Sequence, residues 1–107
     1  MNIEDFKKLV RNYSEADVLT DEPHVSLRCE ENGITIDFVK KTLLGQNAEL
    51  VRLVEDRPNV YKLYYRLSKL RELKIVIDLL THQKINIRTI KILNKQSRIA
   101  FLSRRRF

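Results

Sequence analysis

Three residues in the first third of the chain have the types and spacing of a site that acts on phosphate. His24, Arg28 and Glu31 stand at positions i, i+4 and i+7, so a helix through them would place all three on one stripe. An imidazole exchanges protons near neutral pH, and a guanidinium binds phosphate through paired donors. The same stripe also fits a polar helix face with an ordinary Arg–Glu ion pair, and the spacing alone favours this second interpretation.

A second group of candidates lies in the alternating segment 61–67. Lys62, Tyr64 and Arg66 alternate with apolar residues, so on a strand they would share one face at intervals of roughly 6.5–7 Å. That spacing could follow neighbouring phosphates of an RNA backbone, with Tyr64 stacked on a base between them. An outer sheet face that only meets water explains the alternation equally well.

Later cations could extend this surface. Arg88 lies in a second alternating segment, but the alternation does not show which of its two faces points toward Lys62. Three adjacent arginines at the end of the sequence repel one another, and we expect them to anchor phosphates, with a solubilising end or a partner-binding segment as alternatives. The two faces of the later segment are Asn86, Arg88 and Ile90, and Ile87, Thr89 and Lys91; the arginines are Arg104, Arg105 and Arg106.

Charge is distributed unevenly along the 107 residues, whose formal net charge is +7. Residues 1–59 contain 8 Lys and Arg against 12 Asp and Glu, whereas residues 60–107 contain 13 against 2. A concentrated positive field attracts polyanions, and tyrosines among the cations offer stacking surfaces to unpaired bases. A polyanion such as a nucleic acid is therefore one expected partner, and a solvated strand face followed by a basic tail explains the same charges about equally well.

Composition makes other classes of protein less compatible with the chain. The single cysteine, Cys29, can form no internal disulfide, so nothing indicates an oxidising compartment. Two histidines and one cysteine, far apart in sequence, match no zinc spacing, and we expect neither a metal nor another cofactor. No apolar run approaches the roughly 18–20 residues of a membrane span. We expect a single-domain cytoplasmic protein that does not bind membranes.

The first 45 residues have the periodicity of helices. Apolar residues recur at helical spacing from Ile3 to Tyr13, and residues 14–21 are typical of a connection. Two further helices are expected before Gly45. The second helix is expected to begin after a cap at Thr20 or Asp21, with Pro23 in its first turn, and to end near Asn32 and Gly33. Its buried side would consist of Val25, Leu27 and Cys29. The third helix is expected to begin at Thr35 and to end at Gly45.

From Glu49 the periodicity changes to that of strands, and short connections favour an antiparallel meander. The run 73–80 is almost continuously apolar, as in a central strand buried on both faces. The sequence therefore predicts one α+β domain, with helices in residues 1–45, an antiparallel sheet of four strands in residues 49–93 and a basic tail in residues 94–107. The expected strands are Leu50–Glu55, Tyr61–Leu67, Leu73–Leu80 and Ile85–Leu93.

The segment 24–35 resembles a helix opening found in a widespread family of small bacterial and archaeal proteins. It reads His24-Val-Ser-Leu-Arg28, then Glu31-Asn32-Gly33-Ile34-Thr35, and is similar to H-x-x-x-R-x-x-E-R-G-I-(S/T) in that family. Segments 61–66 and 73–78 resemble its paired central strands, and segment 85–90 resembles its closing strand. Members of the family resemble the RelE and BrnT toxins. The resemblance covers roughly residues 22–93, and Asn32 stands where the family has an arginine.

The resemblance implies a metal-independent ribonuclease toxin on a fold of helices and an antiparallel sheet, with an acidic antitoxin as a partner. Such an enzyme directs a ribose 2′-hydroxyl onto the adjacent phosphate, which leaves a cyclic phosphate and a free 5′-hydroxyl. His24 would be the acid or the base, Arg28 and Arg66 would stabilise charge on the phosphate, and Lys62 and Tyr64 would bind the substrate.

Two other hypotheses remain open at this stage. The same basic surface would suit a non-catalytic module that binds nucleic acid or an acidic protein. Alternatively, the apolar residues Ile99, Phe101 and Leu102 would dock on a second copy of the chain in an assembly protein.

Overall fold

The computed structural model describes residues 1–81 and 83–94, and these form three helices and one five-stranded sheet. The helices precede the four long strands, so the predicted α+β class and the order of its parts are confirmed. The elements are α1 (Ile3–Val10), a short 3-10 turn (Glu15–Asp17), β1 (Val18–Thr20), α2 (His24–Glu31), α3 (Ile36–Leu43), β2 (Glu49–Arg57), β3 (Val60–Ser68), β4 (Arg71–Leu80) and β5 (Lys84–Asn94).

Local sequence signals set the ends of the helices. The side chain of Asn2 accepts from the backbone N–H of Asp5, whose carboxylate in turn accepts from the Asn2 N–H, and this reciprocal pair begins α1. Thr35 begins α3 by accepting from the N–H of Phe38 at 3.0 Å, as predicted. Gly33 and Gly45 follow α2 and α3 with φ of +68° and +86°, the left-handed conformation expected at these two helix ends.

Four strands of the sheet form the predicted antiparallel meander, in the spatial order β5-β4-β3-β2. The fifth strand was missed. Val18–Thr20, within the expected connection, pairs in parallel with residues 85–87 on the outer side of β5. Three residues are too few to show an alternation, so this strand left no periodic signal in the sequence. The ion pair of Lys84 with Asp17, at 3.0 Å, holds the same segment against β5.

The hydrophobic core lies between the helices and one face of the sheet. Inward-facing side chains of the three central strands meet the apolar sides of all three helices. Within this layer burial raises the pKa of the Tyr65 phenol, which donates to the Leu43 carbonyl at 3.5 Å. The central-strand members are Tyr61, Leu63, Tyr65, Leu73, Ile75, Ile77, Ile85, Ile87 and Ile90, and the main helix members are Phe6, Val10, Val25, Cys29, Val39 and Leu43.

Within residues 1–81 and 83–94, the helices cover one face of the sheet. Two predictions about burial are wrong. The β4 strand is central, but Lys74, Val76 and Asp78 alternate with its buried residues and lie half-exposed on the opposite face. In α2, Val25 and Cys29 are buried as expected, whereas Leu27 is 53% exposed because its position on the helix turns away from the core.

Smaller differences concern element ends. The second helix begins at His24, and Pro23 is its N-cap instead of lying within the first turn. The β5 strand continues through Asn94, one residue into the expected tail. Among the described residues, no helix is long and apolar enough to cross a bilayer.

A matched pair of leucines tests this one-sided core. Leu63 is fully buried at the centre of the sheet, so Leu63→Ala should lower the free energy of unfolding by about 2–5 kcal/mol. Leu27→Ala deletes the same atoms from an exposed position and should change it by less than about 0.5 kcal/mol. Urea denaturation followed by circular dichroism measures both, and equal losses would contradict the described placement of α2.

Candidate nucleic-acid interface

The face of the sheet opposite the core carries four of the predicted site residues, Lys62, Tyr64, Arg66 and Arg88. We call it the open face, because no helix of the described residues packs over it. Strand pairing arranges its side chains in rows across the sheet, since directly paired residues of neighbouring strands point to the same side. The central row consists of Arg52, Tyr64, Lys74 and Lys91, which are paired in that order from β2 to β5.

Tyr64 lies in this row as predicted, but its ring already has a neighbour. The guanidinium of Arg52 stacks 3.9 Å from the ring centroid, a cation–π arrangement. An arginine plane beside a tyrosine ring offers a base two flat surfaces to stack on. Sequence reasoning missed Arg52, because the β2 alternation contains a bulge between Leu50 and Arg52.

Lys62 lies in the next row, paired with Val76, which in turn pairs with Thr89. The Lys62 ammonium is 3.6 Å from the carboxylate of Asp56. Both side chains are partly exposed, so this ion pair is weak in water and a phosphate can compete for the lysine.

Arg66 shares the open face with Lys62 and Tyr64, as the alternation predicted, but it lies far from His24. Four residues along β3 separate Arg66 from Lys62, which corresponds to ~13 Å. Its direct cross-strand neighbours are two acids, Glu49 and Glu72. The structure therefore does not bring Arg66 into the cavity that contains His24.

His24 faces a different set of cations. Its Nε2 atom is 3.0 Å from the hydroxyl of Thr89. The two residues line a cavity of about 350 Å³, which we call the His24 cleft. The other residues lining this cleft are Asp21, Asp56, Arg57, Val60, Val76 and Arg88.

Arg88 is the extra residue of a bulge in β5, and Thr89 after it also lies on the open face. Val76 pairs with Thr89 and Ile77 pairs with Ile87, so Arg88 has no direct partner in β4. Its guanidinium lies 3.7 Å from the Asp78 carboxylate. Arg88 was predicted as an RNA-binding residue, and it lines the His24 cleft together with Arg57, which the sequence analysis did not single out.

Arg28 belongs to an adjoining cavity of about 400 Å³, which we call the lysine groove. The groove also contains Lys74 and Lys91, and it shares Val76 and Thr89 with the His24 cleft. Arg28 forms the expected ion pair with Glu31 at 3.1 Å. The structure therefore places His24 and Arg28 in neighbouring cavities, and neither cavity includes Arg66.

Asn32, where the resembling family has arginine, fixes α2 against the sheet. Its side-chain oxygen accepts from the N–H of Ile92 at 3.0 Å, and its amide donates to the Arg28 carbonyl at 2.7 Å. The first bond satisfies an N–H on the outer edge of β5 that β1 does not reach. Asn32 thus holds the helix that carries His24 and Arg28.

The predicted phosphate anchor formed by Arg104, Arg105 and Arg106 falls outside the described residues, as does the docking segment with Ile99, Phe101 and Leu102. Within residues 1–81 and 83–94, no group of three His, Cys, Asp or Glu side chains is arranged to hold a metal ion.

A carboxylate organises the chain just before α2. The Glu22 side chain accepts from the hydroxyls of Ser26 and Thr20, and the Ser26 bond is the main reason why the pKa of Glu22 is lowered from 4.5. Because the folded-state pKa is below the ordinary value, Glu22 stabilises the fold above that value. This contribution is lost as the pH falls through the folded-state pKa.

We expect Ser26→Ala to raise the pKa of Glu22 toward 4.5 and to reduce the loss of stability on acidification. Carboxyl-detected NMR titration of Glu22 measures the first effect, and thermal unfolding between pH 6 and acid conditions measures the second. Ser14→Ala is the control, since Ser14 bonds to Asp17 instead. An unchanged Glu22 titration in Ser26→Ala would refute this assignment.

Comparisons with known proteins leave the open face as the main source of functional information. No protein family, no curated protein and no solved structure matches this chain.

Proposed function

We propose that this protein binds single-stranded RNA on the open face and cleaves it without a metal ion, as a RelE-like toxin of the cytoplasm. The observation that carries the proposal is the continuity of two features. A row of cations and a tyrosine crosses the sheet, and it adjoins a cleft that contains a histidine and two arginines.

The row supports binding of an unpaired nucleic-acid strand. Lys74 and Lys91 supply positive charge for phosphates, and the Arg52–Tyr64 pair supplies a stacking surface for a base. A face made of a twisted sheet and one flanking helix is open enough to admit a flexible single strand. The resemblance of segments 24–35, 61–66, 73–78 and 85–90 to a family of RelE-like proteins points to RNA as this strand.

The proposed reaction needs one proton to leave and another to arrive. A bond forms between the ribose 2′-oxygen and phosphorus, and the bond between phosphorus and the 5′-oxygen breaks. The 2′-hydroxyl gives up a proton and the 5′-oxygen takes one up, so the products are a 2′,3′-cyclic phosphate and a 5′-hydroxyl. A base, an acid and cations close to the phosphate accelerate these steps.

In the His24 cleft, His24 is the proposed proton-transfer group, because an imidazole can accept a proton at one nitrogen and donate one. Arg57 and Arg88 line the same cleft and would stabilise the charge that develops on the phosphate. Their carboxylate partners, Asp56 and Asp78, are 3.9 and 3.7 Å away, so these contacts are long and both arginines can turn to a phosphate. This set replaces Arg28 and Arg66 in the predicted catalytic group.

A second candidate function follows from the separation of the three predicted catalytic residues. Because His24, Arg28 and Arg66 do not meet in one cavity, the open face would also serve a non-catalytic module that binds RNA or an acidic protein.

An acidic antitoxin covering the row and the cleft is the partner expected of the toxin, since it would neutralise the same cations.

Cleavage of a labelled RNA distinguishes the two functions. The wild-type protein should cut single-stranded RNA in the presence of EDTA and leave a cyclic phosphate, which mass spectrometry detects. His24→Ala should slow cleavage by about 10²–10⁴-fold, because it removes a proton-transfer group. Arg88→Ala should slow it by about 10²–10³-fold, because it removes a charge-stabilising group.

Arg11→Ala is the matched control for Arg88→Ala. Arg11 lines a cavity with core residues on the helical side of the molecule, so the substitution removes one positive charge without touching the open face. It should cleave RNA at the wild-type rate. Tight RNA binding without any cleavage by the wild-type protein would favour the non-catalytic module.

A further inference from the structure

Two lysines of the open face directly oppose each other across neighbouring strands. Lys74 in β4 pairs with Lys91 in β5. Like charges at directly paired positions destabilise a sheet, because the side chains are held about 4.5–5.5 Å apart at their Cβ atoms. Among the described residues, no carboxylate lies within 4.0 Å of either ammonium group. The fold thus contains a repulsive pair that it does not compensate internally.

Three other cations on or beside this face do have carboxylate partners. Lys62 is paired with Asp56, Arg88 with Asp78 and Arg28 with Glu31. The neighbours of Lys74 along its row are Tyr64 on one side and Lys91 on the other. The two lysines of the groove thus differ from these three cations, each of which has a carboxylate within 4.0 Å.

A third cation faces the same space. Arg28 lines the groove from α2, and the groove walls also include Val76 and Ile90. The carboxylate in the groove, Glu31, is bound to Arg28 at 3.1 Å. Their side chains are 48% and 60% exposed, so this ion pair is worth little in water and Arg28 can exchange it for an anion.

We propose that the lysine groove is a phosphate-binding site formed by Lys74, Lys91 and Arg28. A phosphate oxygen between the two ammonium groups converts their repulsion into two favourable contacts, and a guanidinium adds paired donors. The shared chemistry is a phosphate group. Its expected source is the backbone of the RNA strand, which rests on the proposed function, and a free phosphate is the other source.

The position of the groove fits the phosphate next to the one held in the His24 cleft. Lys74 and Val76 are two residues apart on β4, as are Thr89 and Lys91 on β5, which corresponds to roughly 6.5–7 Å along the strands. A strand of RNA lying along α2 would therefore present one phosphate to His24 and its neighbour to the lysines. The groove positions substrate and takes no part in the bond changes.

The test is binding of a 2′-O-methyl oligoribonucleotide, which the protein cannot cleave, by fluorescence anisotropy. The double variant Lys74→Gln/Lys91→Gln should bind it about tenfold more weakly than the wild type. The slope of log affinity against log salt should fall by about 0.7, the value for one phosphate contact with a single strand. The control Lys7→Gln/Lys8→Gln removes the same charge from exposed positions of α1 and should retain the wild-type affinity and slope.

A second measurement does not depend on RNA. In a low-salt buffer without phosphate, Lys74→Gln/Lys91→Gln should have a higher Tm than the wild type, because the repulsion between the two ammonium groups is removed. Inorganic phosphate should raise the Tm of the wild type and not that of the variant. This comparison also shows that the variant is folded.

The outcomes separate this site from the proposed function. Weaker RNA binding by the variant supports the site even if the wild type cleaves nothing. Unchanged RNA binding, with a Tm response to phosphate in the wild type alone, overturns the RNA source and retains the phosphate site. Unchanged RNA binding with no difference in Tm overturns the site.

Discussion

One extra residue in β5 determines which side chains reach the open face. Strict alternation from Ile87 would place Thr89 and Lys91 on the core side and Ile90 on the opposite side. The bulge at Arg88 restores the match between side chains and surroundings, since Ile87 and Ile90 are both buried while Thr89 and Lys91 face outward. Burying an isoleucine stabilises the fold by about 1.5–3 kcal/mol, and burying an unpaired lysine would cost more than that. The core therefore imposes the bulge, and the bulge assembles both cavities.

The same strand also controls where α2 lies. The short β1 strand pairs with only the first part of β5, and the rest of that outer edge is left to the helix. Asn32 bonds to the N–H of Ile92, and His24 contacts Thr89 nearer the start of the helix. Val25 and Cys29 of the same helix are buried in the core. Together these contacts orient α2 so that His24 and Arg28 line the cavities at the open face. A helix placed to close a sheet edge thus becomes one wall of the candidate site.

The sequence predicted the helices and strands better than the pairing and register of the strands. The helix ends at Thr35, Gly33 and Gly45 and the alternation of β3 are local signals, and the structure confirms them. The parallel strand β1 and the bulge at Arg88 leave no local signal, because both depend on pairing with residues distant in sequence. The positions of His24 on a helix and of Lys62, Tyr64 and Arg66 on one face of a strand were therefore predictable from sequence. Arg57 and the Lys74–Lys91 pair became visible only once the strand register was known.

Register also changes the meaning of the uneven charge. A basic C-terminal half on its own implies only a general attraction to polyanions. In the folded chain, acids of the first half return to neutralise several of these cations, as Asp17 does for Lys84 and Asp56 for Lys62. An acidic residue at position 74 or 91 would give a favourable cross-strand pair with the remaining lysine. An acidic residue at one of these positions would make the fold more stable. The two facing lysines are therefore best explained by an anion that binds between them.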